Sequence, residues 1–337
     1  MKKIDFRNIF LAIGLVAVII MLFTFDMSYA EVWSNVKRAG YWFPACVVLW
    51  LFIYMMNALG WRAIINDGTV KPLSYLRVLR YTISGFALNN VTPVGLLGGE
   101  PYRIMELTPL VGAAKATSSV ILNAMMHILS HFCFWSLSLL LYLFLYGRTM
   151  SVQTGCLMAF FALFCASGIY FFFKGYRQGL AMKALRLVRH IPGLRRRTEG
   201  FIQRKAPAIQ KIDEQIAALH ATRPTSFCIS LLLELGVRIA GCLEIQFILY
   251  ILTDHVSFSH CVLLQAFTSL FSILLFFVPM SMGAREGGFA LGMNGLSLAG
   301  SYGVYTSLLV RLRELVWIAI GLLLIKLPVS LHPRRPA

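Results

Sequence analysis

The chain has 337 residues, 58% of them hydrophobic and 13% charged, with a formal charge of +17. Several apolar runs reach the ~17 residues needed to cross a hydrocarbon core, which excludes a soluble globular protein, and their lack of alternation excludes a β-barrel. The excess of base does not mark a nucleic-acid binder, because Lys and Arg gather in a few loops and tails between apolar runs, as in a membrane protein that obeys the positive-inside rule.

Every backbone polar group in lipid needs a partner within its own segment, so the expected fold is an all-α polytopic membrane protein. At the start, Lys2, Lys3 and Arg7 precede an apolar run over 9–25, and Ser28-Tyr29-Ala30 resembles a cleavage site. The run exceeds the ~7 to 15 residues of a signal-peptide core, and it is read as an uncleaved first helix. About six crossing helices are predicted, over 8–25, 41–59, 117–146, 153–173, 226–253 and 302–325. An even number of crossings puts both termini on one side. Arg62, Lys71, the loop over 174–224, Lys326, Arg334 and Arg335 share that side, whereas 254–259 has no Lys or Arg and 147–151 only Arg148. The charge bias therefore assigns both termini to the cytoplasm.

The loop over 174–224 holds twelve Lys or Arg against three acids. Within it Ile209, Ile212, Ile216 and Leu219 recur at helical spacing beside Lys211, Asp213, Glu214 and Gln215, which predicts an amphipathic helix. Base at the cytoplasmic leaflet attracts anionic lipid; it equally serves to hold the loop inside.

Two regions, 73–116 and 260–300, do not read as ordinary crossings. In the first, an apolar arm up to Val91 meets Pro93, Gly95, Gly98, Gly99 and Glu100 before a second arm. In the second, an arm up to Val278 meets Pro279, Gly283, Arg285, Glu286, Gly287 and Gly288 before another. Proline removes a helix donor and glycine weakens the helix, so each region is expected to turn back partway as a re-entrant hairpin. Pro93 and Glu100 have the same separation as Pro279 and Glu286, and a crossing helix follows each hairpin. On the assigned topology one hairpin enters from the cytoplasm and the other from outside, the pattern of an inverted repeat whose broken segments meet at a midplane site.

Ionisable residues at membrane depth face a partner or a wet cavity. Glycine lets a ligand approach the backbone, and a restarting half-helix points free N–H groups at it. The substrate-binding candidates are therefore Pro93, Gly98, Gly99, Glu100 and Arg103 at the first break, Pro279, Gly283, Arg285 and Glu286 at the second, and Arg311. Arg103 and Arg285 offer guanidinium forks suited to phosphate. Glu100 and Glu286 are expected to bind a cationic headgroup group, carry a proton or cap the second arms. Glu234 and Arg238, four apart on one helix, are expected to form an intramembrane ion pair; Glu244, Arg313 and Glu314 are read as internally paired.

His127 and His131 lie four apart, but Ile128 stands where an HExxH zinc motif has its Glu, and they are read as a hydrogen-bonded core pair. The seven cysteines (46, 133, 156, 165, 228, 242 and 261) lack CxxC spacing and are read as small buried hydrophobes. No GxSxG, Walker or GxGxxG element is present, so no cofactor, metal or catalytic module is expected.

With Asn89-Asn90-Val91-Thr92-Pro93, Gly98-Gly99-Glu100-Pro101-Tyr102-Arg103, Ser118-Ser119-Val120-Ile121-Leu122, and Pro279 through Gly283-Ala284-Arg285-Glu286-Gly287, the chain resembles the lysylphosphatidylglycerol synthase transmembrane-region family over about 42–324. Members of that family are flippase-like, and the best-known carry this region fused to a soluble aminoacyl-transferase domain. The resemblance implies a stand-alone member without the synthase half, and places the family's P…GE…R element on Pro93, Gly99, Glu100 and Arg103 and its P…G…RE element on Pro279, Gly283, Arg285 and Glu286. The chain departs from the family where Asn123, Ala124 and His127 stand in place of acidic and basic residues.

The leading expectation is a non-enzymatic lipid translocase or lipid-binding protein of a bacterial or archaeal cytoplasmic membrane, acting on an anionic or glycosylated phospholipid or lipid-linked substrate. The alternatives are a membrane-embedded enzyme acting on a lipid headgroup, with Glu100 or Glu286 as base, and an accessory subunit of a separate lipid synthase or glycosyltransferase.

Overall fold

The structure, a computed structural model, describes residues 29–66, 72–91, 98–177, 224–253, 256–274 and 284–326, with the single positions 207, 210, 213 and 214. Among them all regular structure is helical. In chain order the helices are α1 Tyr29–Ala39, α2 Trp42–Ile65, α3 Tyr75–Val91, α4 Gly99–Val111, α5 Ala113–Tyr146, α6 Val152–Arg177, α7 Pro224–Leu249, α8 Phe258–Leu274, α9 Ala284–Gly295 and α10 Gly300–Lys326. The protein is an all-α polytopic membrane protein. By length and composition α2, α5, α6 and α7 can each cross a bilayer. α10 is long enough too, at 27 residues, but carries Arg311, Arg313 and Glu314 near its middle.

The predicted crossings at 41–59, 117–146, 153–173, 226–253 and 302–325 correspond to α2, α5, α6, α7 and α10. α2 runs six residues further than expected, because Gly60 does not end it but faces Ser230 of α7 in a close helix contact. α7 begins at Pro224, which the first turn of a helix tolerates. The helix expected over 8–25, most of the basic loop and the break residues Pro93, Pro279 and Gly283 lie outside the described residues.

α7 is the hub, packing against α2, α5, α8 and α10; α3 lies on α10, α4 on α3 and α5, α9 on α8 and α10, and α6 on α5. Contacts at the helix ends define two poles. At one, Arg62 Nε donates to Leu73 O at 3.1 Å and Arg80 Nη2 to Ile325 O at 3.4 Å. At the other, Tyr146 Oη lies 3.2 Å from His260 Nε2, and Tyr305 Oη donates to Asn35 O of α1 at 3.1 Å.

The short helices return to the pole from which their partners start. Leu107 near the end of α4 packs with Ile65, Leu73 and Val78, where α3 begins. Met293 near the end of α9 packs with Leu249, Val256 and Cys261, where α8 begins. Between α4 and α5 only Gly112 intervenes, and its φ of 83° is a backbone state that glycine alone adopts at little cost.

Candidate functional site

The start of α9 carries Arg285 and Glu286, and one stripe of α10 receives them. Arg285 Nη1 donates to Glu314 Oε2 at 2.8 Å. Arg311 Nη2 pairs with Glu286 Oε1 at 2.6 Å, and Ser307 Oγ donates to the same oxygen at 3.2 Å. Further along the stripe, Gly303 lies against the backbone of Phe289 and Ala290, so the absence of a side chain there lets α9 settle on α10. These two ion pairs are partly open, with side chains 23% and 19% exposed for Arg285 and Glu314 and 21% and 28% for Arg311 and Glu286. Glu286 Oε2 has no hydrogen-bond partner among the described residues.

Behind this open quartet lies a closed pair. Arg313 Nε and Nη2 donate to Glu244 of α7 at 2.7 and 3.0 Å, with both side chains at most 5% exposed. Trp50 of α2 donates its Nε1–H to Glu244 Oε2 at 2.8 Å and offers its ring face to the guanidinium. A fork-on-carboxylate geometry with an indole donor and a cation–π face satisfies a buried charge as completely as side chains can.

At the first break, Gly98 caps α4 and Gly99 opens it, resting on Gly85 and Asn89 of α3. Asn89 Oδ1 accepts from Gly99 N at 2.7 Å, and Asn89 Nδ2 donates to Glu100 Oε1 at 3.2 Å. The Asn89 amide thus ties the end of α3 to the free N–H groups of α4. Arg103, 4% exposed, donates from Nη2 to Thr82 O at 3.2 Å and lies 3.6 Å from Glu100. Its guanidinium is also close to the rings of Trp61 and Phe86, at 5.3 and 5.1 Å. Arg103 passes over Gly85, where any side chain would collide with it, so it clamps α4 to α3 rather than facing open space.

A third group joins α5 and α7. His127 Nδ1 lies 3.1 Å from Glu234 Oε2, and Arg238 Nη2 lies 2.9 Å from each ring nitrogen. Arg238 Nε also donates to Ser130 Oγ at 3.3 Å. The expected Glu234–Arg238 pair does not close directly; the two residues are joined through His127, because the ring from α5 occupies the space beside both. His127 and His131 meet edge to face at 5.4 Å.

Tyr54 of α2 lies between the groups, within electrostatic reach of Arg313, Glu314 and Glu244 on one side and Arg103 on the other. Arg103 in turn feels Glu234. Beside α9 an apolar cleft of about 400 Å³ runs between α5, α6, α8 and α9, lined among others by Trp135, Phe161, Phe267, Leu291 and Gly292.

Of the residues singled out from the sequence, the structure brings Arg285, Glu286 and Arg311 into one cluster and Gly98, Gly99, Glu100 and Arg103 into another. Glu244, Arg313 and Glu314 complete the first, a role their place in apolar helices announced without naming their partners. Trp50 and Tyr54 carried no such signal, since an aromatic in an apolar helix reads as packing, and Asn89 entered only as part of the motif shared with the family. The sequence profile of the family described as Lysylphosphatidylglycerol synthase TM region matches residues 9–321. No curated protein and no solved structure matches the chain.

Proposed function

The chain belongs to the lysylphosphatidylglycerol synthase transmembrane-region family, which ties it to lipid metabolism or translocation, and from that premise we propose that it binds an anionic lipid by its headgroup and passes it between leaflets. The observation that carries this reading is the open quartet at the start of α9. Its two guanidinium groups are paired with carboxylates yet remain partly accessible, beside a closed pair that holds the helices together. A phosphate oxygen can replace a carboxylate oxygen on an arginine fork with the same geometry, and the displaced acid is left without its cation. Arg285 and Arg311 are then the headgroup ligands, Glu286 and Glu314 their exchangeable partners, and Arg103 a positioning residue.

The acyl region of such a lipid has a place beside the quartet. Gly292 follows Arg285 by seven residues, two turns along the same face of α9, and borders the apolar cleft. A chain lying there would leave its headgroup near Arg285.

Two 17-residue helices, α3 and α8, each followed by a short helix returning to the same pole, support the reading of paired re-entrant hairpins in an inverted repeat. Arg62, Arg77, Arg80, Lys115 and Lys326 sit toward the pole of Ile65 and Ile325, against Lys37, Arg38 and Arg148 toward the other, which supports cytoplasmic termini in a bacterial or archaeal inner membrane. The basic loop then faces the anionic cytoplasmic leaflet.

Reconstituted vesicles test the proposal. Fluorescent phosphatidylglycerol should become accessible to an external quencher faster with the protein than without it, and a glycosylated lipid offered in parallel reports headgroup preference. A rate equal to that of protein-free vesicles for both lipids would overturn translocation; retention of the lipid without movement would leave a lipid-binding protein.

A further inference from the structure

The lipid reading leaves the group between α5 and α7 unused. His127 follows Glu100 by 27 residues, and Arg313 follows Glu286 by the same interval. Each meets a carboxylate of α7, His127 at Glu234 and Arg313 at Glu244. Matching positions in the two halves thus hold matching acids, with one difference: a guanidinium is permanently charged, and an imidazole gains and loses a proton near neutral pH.

The acids differ accordingly. Glu244 has both oxygens bonded, whereas Glu234, 1% exposed, leaves Oε1 with no hydrogen-bond partner among the described residues. A buried carboxylate oxygen without a donor is costly, so Glu234 stands to gain from a full positive charge on the imidazole beside it, as Glu244 has from Arg313. The hydrogens present can be assigned from the contacts. An ionised Glu234 only accepts, so His127 Nδ1 carries the hydrogen between them; Arg238 only donates, and of the two ring nitrogens 2.9 Å from its Nη2 that leaves Nε2 as the acceptor and the ring neutral. The charged and titratable groups facing the ring are Glu234 and Arg238 on α7, Arg103 on α4 and His131 on α5.

We infer that the His127–Glu234 pair is a proton-binding site that takes up one proton with each anionic headgroup. The inference rests on the lipid reading above. A proton from water bonds to Nε2 of His127. The hydrogen bond from Arg238 Nη2 to that nitrogen then breaks, because two donors face each other, while Arg238 keeps its bonds to Ser130 Oγ and the His127 carbonyl. The cluster gains one positive charge as the lipid brings one negative charge. Neutrality inside the membrane is kept, as the high cost of a lone charge there requires.

Calorimetric titration of the purified full-length protein with dioctanoyl phosphatidylglycerol, at pH 6.5 in two buffers of different ionisation heat, counts the protons. About one proton per lipid is expected for the wild type and for His131→Gln, and about none for His127→Gln, with Glu234→Gln as the second variant should His127→Gln fail to fold. Binding without proton uptake by the wild type, or unchanged uptake in the variants, overturns the inference. If phosphatidylglycerol does not bind at all, the lipid reading fails first, and the proton site is judged by nitrogen-15 histidine spectra. A charged-imidazole signal that grows in on acidification and is missing in His127→Gln sustains the site, and its absence from the wild type refutes it.

Discussion

Trp50 and Arg313 are stacked, with the guanidinium carbon 3.7 Å from the ring centroid, and the indole N–H of the same Trp50 bonds the carboxylate that Arg313 grips. Three helices, α2, α7 and α10, therefore meet in one satisfied contact, and its removal leaves a bare charge in a dry place. Arg313→Ala should cost about 3 to 5 kcal/mol, and Arg313→Lys, which keeps the charge but loses the fork, should fall between it and wild type. Thermal unfolding of the detergent-purified protein measures the order. A wild-type melting temperature for Arg313→Ala would remove this contact from the list of structural supports.

The partly open pairs should behave differently. Glu286→Gln and Glu100→Gln keep shape and hydrogen-bonding capacity, and neither acid is fully buried, with side chains 28% and 16% exposed, so both variants should express and insert near wild-type levels. Both should lose translocation of labelled phosphatidylglycerol in vesicles. Full activity in both would take the acids out of the mechanism, and failure to insert would make them helix caps.

Filling the cleft beside α9 separates the chain from the headgroup. Gly292 lies against Leu264 and Phe267 of α8, so Gly292→Leu both narrows the cleft and presses on α8, at about 1 to 3 kcal/mol. Transport of a long-chain phosphatidylglycerol should drop several-fold while binding of the dioctanoyl form changes little. Equal losses for both lipids would place the acyl chain elsewhere.

Orientation is open to direct labelling. With Cys156 and Cys228, which are exposed, replaced, a cysteine at Ser257 should react only from outside the cell and one near Arg196 only from the cytoplasm. Reaction of both from one side would dismantle the inverted-repeat reading.

The apolar runs announced α2, α5, α6, α7 and α10 to within a few residues, because length and hydropathy are local properties. α1 went unforeseen: eleven residues holding Glu31, Lys37 and Arg38 have no long apolar run, and it is a contact with Tyr305 of α10 that shows where it lies. The same limit governs the charges. Sequence spacing placed Glu234 opposite Arg238 on one helix wall, whereas the ring of His127 comes between them from α5. The partners of Glu244, Glu286 and Glu314 belong to helices tens of residues away, and no local pattern encodes which helix face will meet which.

The acids of the quartet hold the guanidinium groups in the posture a phosphate would hold them, which makes the protein its own competitor. Whatever affinity is measured for a headgroup is the surplus over an internal rival tethered a few ångströms away, present at an effective concentration no free lipid matches. Weak apparent binding is then no argument against specificity. The rival also sets the exit: a carboxylate that returns to Arg285 or Arg311 expels the headgroup, so residence is short by construction. Removing the rival by Glu314→Gln should lengthen residence and slow turnover together, a carrier that holds its cargo too well.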